Sequence, residues 1–131
     1  MAQEENKQET AEQRPFLRRG EDFESLYANH VYLIPSEWDL KMIFGEVDND
    51  DKGSFIEQHT AIAIPWLQAK ILHYFLSLQL GFYEINHGKI SIPLSIQPPE
   101  PDPIPEELSG NDGSRLLYEL VRAKRAELLA P

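Results

Sequence analysis

Residues 65–88 read PWLQAKILHYFLSLQLGFYEINHG. Proline suits the first position of a helix, where the amide it lacks would have no partner. Gly88, after Asn86-His87, can take the left-handed conformation that ends one. Between these signals the pattern predicts a helix over Trp66–Asn86, roughly 31 Å long at 1.5 Å per residue. Its apolar residues include Trp66, Leu67, Ile71, Leu72, Phe75, Leu76, Leu78, Leu80, Phe82 and Ile85. They cover more than the ~100° stripe used in packing on one sheet. One face can dock on a sheet; the remainder needs another partner, and the same helix from a second copy is the simplest.

Upstream of this helix the periodicity is two. In LYANHVYLI (26–34) one face carries Tyr27, Asn29, Val31 and Leu33, and the other Ala28, His30, Tyr32 and Ile34. Pro35-Ser36 supplies turn chemistry. A second strand alternates more cleanly, with Trp38, Leu40, Met42 and Phe44 opposed by Asp39, Lys41 and Ile43. Asp48–Ser54 reads as a polar loop, followed by a third strand over Phe55–Ile64 with Ile56, Thr60, Ile62 and Ile64 on one face. Short links between three strands imply an antiparallel meander.

Downstream, Ile90, Ile92, Leu94 and Ile96 alternate as a fourth strand would, and Pro93 would favour an edge position. PPEPDPIP (98–105) reads as a semi-rigid polyproline spacer. A C-terminal helix over Ser114–Leu129 carries an apolar stripe of Leu116, Leu117, Leu120, Val121 and Leu128, beside Arg115, Arg122, Lys124 and Arg125.

The fold class is therefore α+β: a three- to four-stranded antiparallel meander packed by one long helix, with a separate amphipathic C-terminal helix. The expected organisation is a disordered tail (1–22), one α+β domain (23–97), a Pro-rich linker (98–113) and the C-terminal helix (114–129). Within the tail, RPFLRRG groups Arg14, Arg18 and Arg19 around Phe16 and Leu17. That pattern fits a docking peptide or, more plainly, a solvated charged tail.

The order YANHVYLI, WDLKMIFGEV, AIAIPWLQAKIL resembles a bacterial and archaeal family of short domains, domain of unknown function 3467. The resemblance spans about residues 24–90 and rests on Tyr27-Ala28-Asn29, Phe44-Gly45, Pro65 and Gln68-Ala69-Lys70. Ile64 stands where that family would place a helix-capping Ser. The resemblance implies a strand meander followed by a helix, and no agreed activity.

Bulk composition narrows the functional classes. The 131-residue chain has a net charge of −10 and no cysteine. A negative field opposes binding to nucleic acid or anionic membrane. Without cysteine there is no disulfide framework, thiolate metal site or cysteine nucleophile. The Gln- and Glu-rich N-terminus lacks the apolar core of a secretory signal, and no apolar run approaches the ~20 residues of a membrane span. These features point to the cytoplasm.

No catalytic pattern emerges, so the expectation is that the chain is not an enzyme and needs no cofactor or metal. Asp48, Asp50 and Gly53 match part of a calcium loop, but Lys52 and His59 occupy positions that call for oxygen ligands. His30, His59, His73 and His87 show no paired ligand spacing. Ser36, Ser54 and Ser77 lack a nucleophile elbow. Trp38, Trp66, Phe75 and Phe82 would be core residues before they were a ligand pocket.

The expected function is a protein–protein interaction module, homo-oligomeric and in the simplest case a homodimer, with a docking helix at residues 114–129. Trp66, Ile71, Leu78 and Phe82 on the long helix, and Leu117, Leu120 and Val121 on the C-terminal one, are the candidate interface residues. The alternative is a holdase-like chaperone, by analogy of architecture with the bacterial export chaperone SecB. A small-ligand site or an enzyme would require a closed pocket with convergent polar groups.

Overall fold

The computed structural model describes residues 15–131. Its elements are β1 (His30–Pro35), β2 (Asp39–Asp50), β3 (Gly53–Pro65), α1 (Trp66–His87) and α2 (Asp112–Leu129), with short 3-10 turns at Leu94–Ile96 and Glu106–Leu108. This is an α+β chain. Its residues fall into two compact units, the first ending at Trp66 and the second running Leu67–Pro131. No helix among the described residues is long and apolar enough to cross a membrane.

The first unit is one open antiparallel sheet, ordered β1-β2-β3. At the β1–β2 turn, Ser36 Oγ accepts from the amides of Trp38 (3.2 Å) and Asp39 (3.0 Å). That bonding starts β2 at Asp39, so Trp38 belongs to the turn rather than to the strand, and it is exposed. The β2–β3 connection is shorter than the expected Asp48–Ser54 loop: pairing persists to Asp50↔Gly53, and only Asp51 and Lys52 lie between. The Asp50 carboxylate accepts from Lys52 N at 2.8 Å. Gly53, at φ +126°, takes a conformation other residues avoid.

The register slips once, between Phe44 and Gly45. Phe44 pairs with Thr60 but Gly45 with Gln58, leaving His59 as the extra residue of a β-bulge. Side chains of paired residues share a face, so the bulge moves Ile56 to the face of Val47, away from Thr60, Ile62 and Ile64. Strict alternation placed Ile56 with those three; the inserted residue is why it is not. Gly45 makes the slip feasible. It is the sole buried residue of the described chain, and a Cβ there would lie 2.5 Å from the Glu57 carbonyl oxygen.

The bulge also fixes how the chain enters β1. The strand begins at His30 rather than Leu26 because, just before it, side chains of Asn29 and His59 take up backbone groups that a regular ladder would pair. Asn29 N donates to Gly45 O (3.0 Å), and Asn29 Oδ1 accepts from Val47 N (2.8 Å). His59 Nε2 reaches the carbonyl of Tyr27 at 2.9 Å, and its Nδ1 lies 2.7 Å from Thr60 Oγ1. A carbonyl can only accept, so Nε2 donates to it. Tyr27, Asn29, Gly45 and His59 thus form one knot.

α1 spans Trp66–His87, one residue beyond its expected end, and belongs to the second unit from Leu67 on; Gly88 follows at φ +89° with its amide on Glu84 O at 2.9 Å. The segment after it is not a fourth strand. Ile90 N donates to Glu84 Oε2 (2.9 Å), Ile96 N to Pro93 O (3.0 Å), and Ile92 O is taken by Gln97 Nε2 (3.0 Å). Pro93 has no amide, so the groups a ladder would need are absent or used locally. α2 begins two residues before Ser114, capped by Asn111 Oδ1, which accepts from Ser114 N at 3.0 Å.

Gly45→Ala is expected to lower stability by about 2 kcal/mol or more, because the clash is with backbone. Gly110→Ala, where an added Cβ meets nothing within 4 Å, serves as the control. Urea unfolding of the two variants measures the difference.

Candidate interaction surfaces

Two surfaces follow from the second unit. Helical spacing divides α1 into two apolar sides. Ala69 and Leu72 are half-buried, and His73, Leu76, Ser77, Leu80 and Glu84 line a groove of about 560 Å³ shared with Lys89, Ile90, Ile92 and the end of α2 at Lys124, Glu127 and Leu128. The other side is a continuous stripe of Leu67, Ile71, Tyr74, Leu78, Phe82 and Ile85, all exposed, with Leu67 at 73% and Ile85 at 82%. Phe75 borders it, edge-on to Tyr74 at 5.3 Å between ring centres. This stripe includes three of the four candidate residues on the helix, Ile71, Leu78 and Phe82. Trp66 is separate: it closes the first unit, and its indole Nε1 donates to Ser36 O at 3.0 Å.

The second surface belongs to α2. Residues 98–105 do not hold this helix at a distance; they lie along it. Pro101, Pro103, Ile104, Pro105 and Leu108 face Ser114, Leu117, Tyr118 and Val121 across a groove of about 330 Å³ with an almost wholly apolar lining. At the far end Arg125 Nε donates to Pro98 O at 2.9 Å, and its Nη1 sits 3.8 Å from the exposed Glu100 carboxylate. The hydrogen bond is the stronger contact, since the ion pair is long and wet. A polyproline stretch has no internal hydrogen bonds and little conformational freedom to lose, so an aromatic such as Tyr118 and one guanidinium suffice to hold it.

The docked face of α2 is therefore Ser114, Leu117, Tyr118, Val121 and Arg125, which takes only Leu117 and Val121 from the leucine stripe the sequence suggests. Leu117 and Val121 line the groove; Leu116 and Leu120 are exposed and lie off it. Hydropathy alone ranks Arg125 with the solvent, and only its carbonyl partner reveals its place. On the N-terminal side, residues 1–14, including Arg14, lie outside the described residues. Phe16 and Leu17 are exposed, and Arg19 stacks over the Phe23 ring at 4.6 Å.

Several groups with chemical potential are occupied structurally, although His30 Nδ1 is buried without a hydrogen-bond partner among the described residues. Ser36 Oγ donates to Asp39 Oδ1 (3.0 Å), Ser54 Oγ to Asn49 Oδ1 (2.6 Å), and Ser77 Oγ to His73 O (2.8 Å). His87 stacks on Tyr83 at 4.6 Å. Among the described residues no three His, Asp or Glu side chains are grouped to hold a metal ion. The aromatics Trp38, Trp66, Phe75 and Phe82 line neither groove. The chain matches no family model, no curated protein and no solved structure.

Arg125→Ala should release the strand-like end of the Pro-rich segment while sparing the helix. Faster amide exchange at Gln97 and Glu100, with helical circular dichroism unchanged, is the expected result.

Proposed function

We propose that this chain is a non-catalytic, homo-oligomeric protein–protein interaction module, with α2 offering a docking face to a further protein. One observation carries the reading: among the described residues, no large apolar side chain is buried. A folded domain of this size ordinarily hides many, each contributing about 1.5–3 kcal/mol. The open side of α1 and one face of the sheet both present such residues. On the sheet, register groups Val31 and Leu33 with Phe44 and Met42, and with Ile62. Contiguous apolar surface of this kind marks an interaction site. The resemblance of residues 24–90 to the domain of unknown function 3467 family is part of the same proposal. It is supported by the joint use of Asn29 and Gly45, two of its motif residues, in one hydrogen-bonded knot.

The docking role of α2 draws on Leu116 and Leu120, exposed one helical turn apart and off the proline-lined groove. An exposed apolar helix face of this kind suits a groove on a partner protein. A holdase-like chaperone is a second reading, favoured by the breadth of the apolar sheet face; it requires suppression of aggregation of a denatured client.

Sedimentation equilibrium at tens of micromolar is expected to give a multiple of 15.1 kDa. Leu78→Asp, which sets an unpaired charge in the seam, is expected to weaken self-association roughly 100-fold, about 3 kcal/mol. A strictly monomeric wild-type protein would overturn the reading.

A further inference from the structure

The open side of α1 has an internal order that specifies how a second copy would meet it. Leu67, Ile71, Tyr74, Leu78, Gly81 and Ile85 are separated by alternating steps of four and three residues. That repeat is the one by which two helices interlock side chains along a seam, and it differs from the broader stripe used against a sheet. The series is also close to a palindrome about its centre. Run against itself in the opposite direction, Leu67 meets Ile85, Tyr74 meets Leu78, and Ile71 meets Gly81.

The last match is informative. A Cβ added at Gly81 would meet nothing within 4 Å in this chain, so the glycine leaves an opening beside the seam. An antiparallel partner fills it with Ile71. A parallel partner would put glycine against glycine and leave a void, which costs stability. Charge agrees with this choice. Lys70 and Glu84 are the two fully charged side chains of α1. In the antiparallel register they flank the seam at opposite ends, each facing the other type on the second copy. Lys70 forms no ion pair among the described residues, and Glu84 uses one oxygen on Ile90 N while the other has no partner among them.

We infer that two copies of this chain pair through α1 in antiparallel fashion about a twofold axis that crosses the seam between Tyr74 and Leu78, with Ile71 of each seated at Gly81 of the other and Lys70 opposite Glu84. This rests on the proposed self-association and names its geometry. The two copies of Phe75 then lie within about 3 Å of each other along the helix axis, while the two copies of Ile85 are roughly 27 Å apart.

The chain has no cysteine, so each introduced thiol is unique. Phe75→Cys and Ile85→Cys proteins, confirmed as oligomers by sedimentation, are treated with a short thiol–thiol crosslinker. Efficient crosslinking at position 75 and little at 85 is the expected result. The reverse pattern, or none at either position in a protein that still self-associates, overturns the antiparallel seam while leaving self-association intact; a monomeric wild type removes both. Charge exchange supplies the second measurement. Lys70→Glu and Glu84→Lys should each weaken association about tenfold, and the double variant should recover it. A double variant no tighter than either single one overturns the assigned pairing, with circular dichroism establishing that α1 remains helical in all three.

Discussion

A sheet or a helix persists in water when a second layer covers one of its faces. That requirement dominates this chain. The three strands make a single layer, and every strand leaves apolar side chains at the surface. In the second unit the chain after α1 covers one side of that helix and leaves the other open. Local structure is well specified: Gly88 ends α1, Asn111 caps the start of α2, turn amides are bonded, and the bulge is supported by four residues. Among the described residues no large apolar side chain is buried, so hydrogen bonding there is satisfied locally while apolar faces stay open. Under the proposed self-association, a second copy would supply the missing layer.

The knot around Gly45 shows how little side-chain volume such precision needs. Glycine lets two strands approach; Asn29 and His59 then supply with side chains what a regular ladder would supply with backbone. The sheet keeps its hydrogen bonds through a register slip and still turns different residues outward on the two sides of it.

Legibility from sequence followed the range of the interaction involved. α1 was readable because Pro65 and Gly88 act within a turn of themselves. The three strands were readable as alternation, but the bulge was not, since Gln58-His59 looks like uninterrupted pattern and Ile56 appears in phase. The one available hint was Gly45 in the middle of a strand, a position where glycine signals a bulge or close approach. The supposed fourth strand failed because alternation says nothing about where amides go, and these go to Glu84 and Pro93. Of the candidate surface residues, Ile71, Leu78 and Phe82 share a face as helical spacing requires. Trp66 does not, having a carbonyl partner at Ser36 that only the folded turn creates. The Leu117–Leu120–Val121 group split for a similar reason: proline rings selected the side of α2 carrying Tyr118 and Arg125.

The two-residue link at Asp51–Lys52 bears on the order of events in assembly. Strands joined so tightly find one another by closing very small loops, and neighbours in sequence are neighbours throughout this sheet. The polyproline stretch and α2 are likewise adjacent in the chain. Topology of that kind permits rapid intramolecular ordering. Under the proposed self-association, the slow encounter would be between molecules, and the time to reach the finished protein would shorten as its concentration rises.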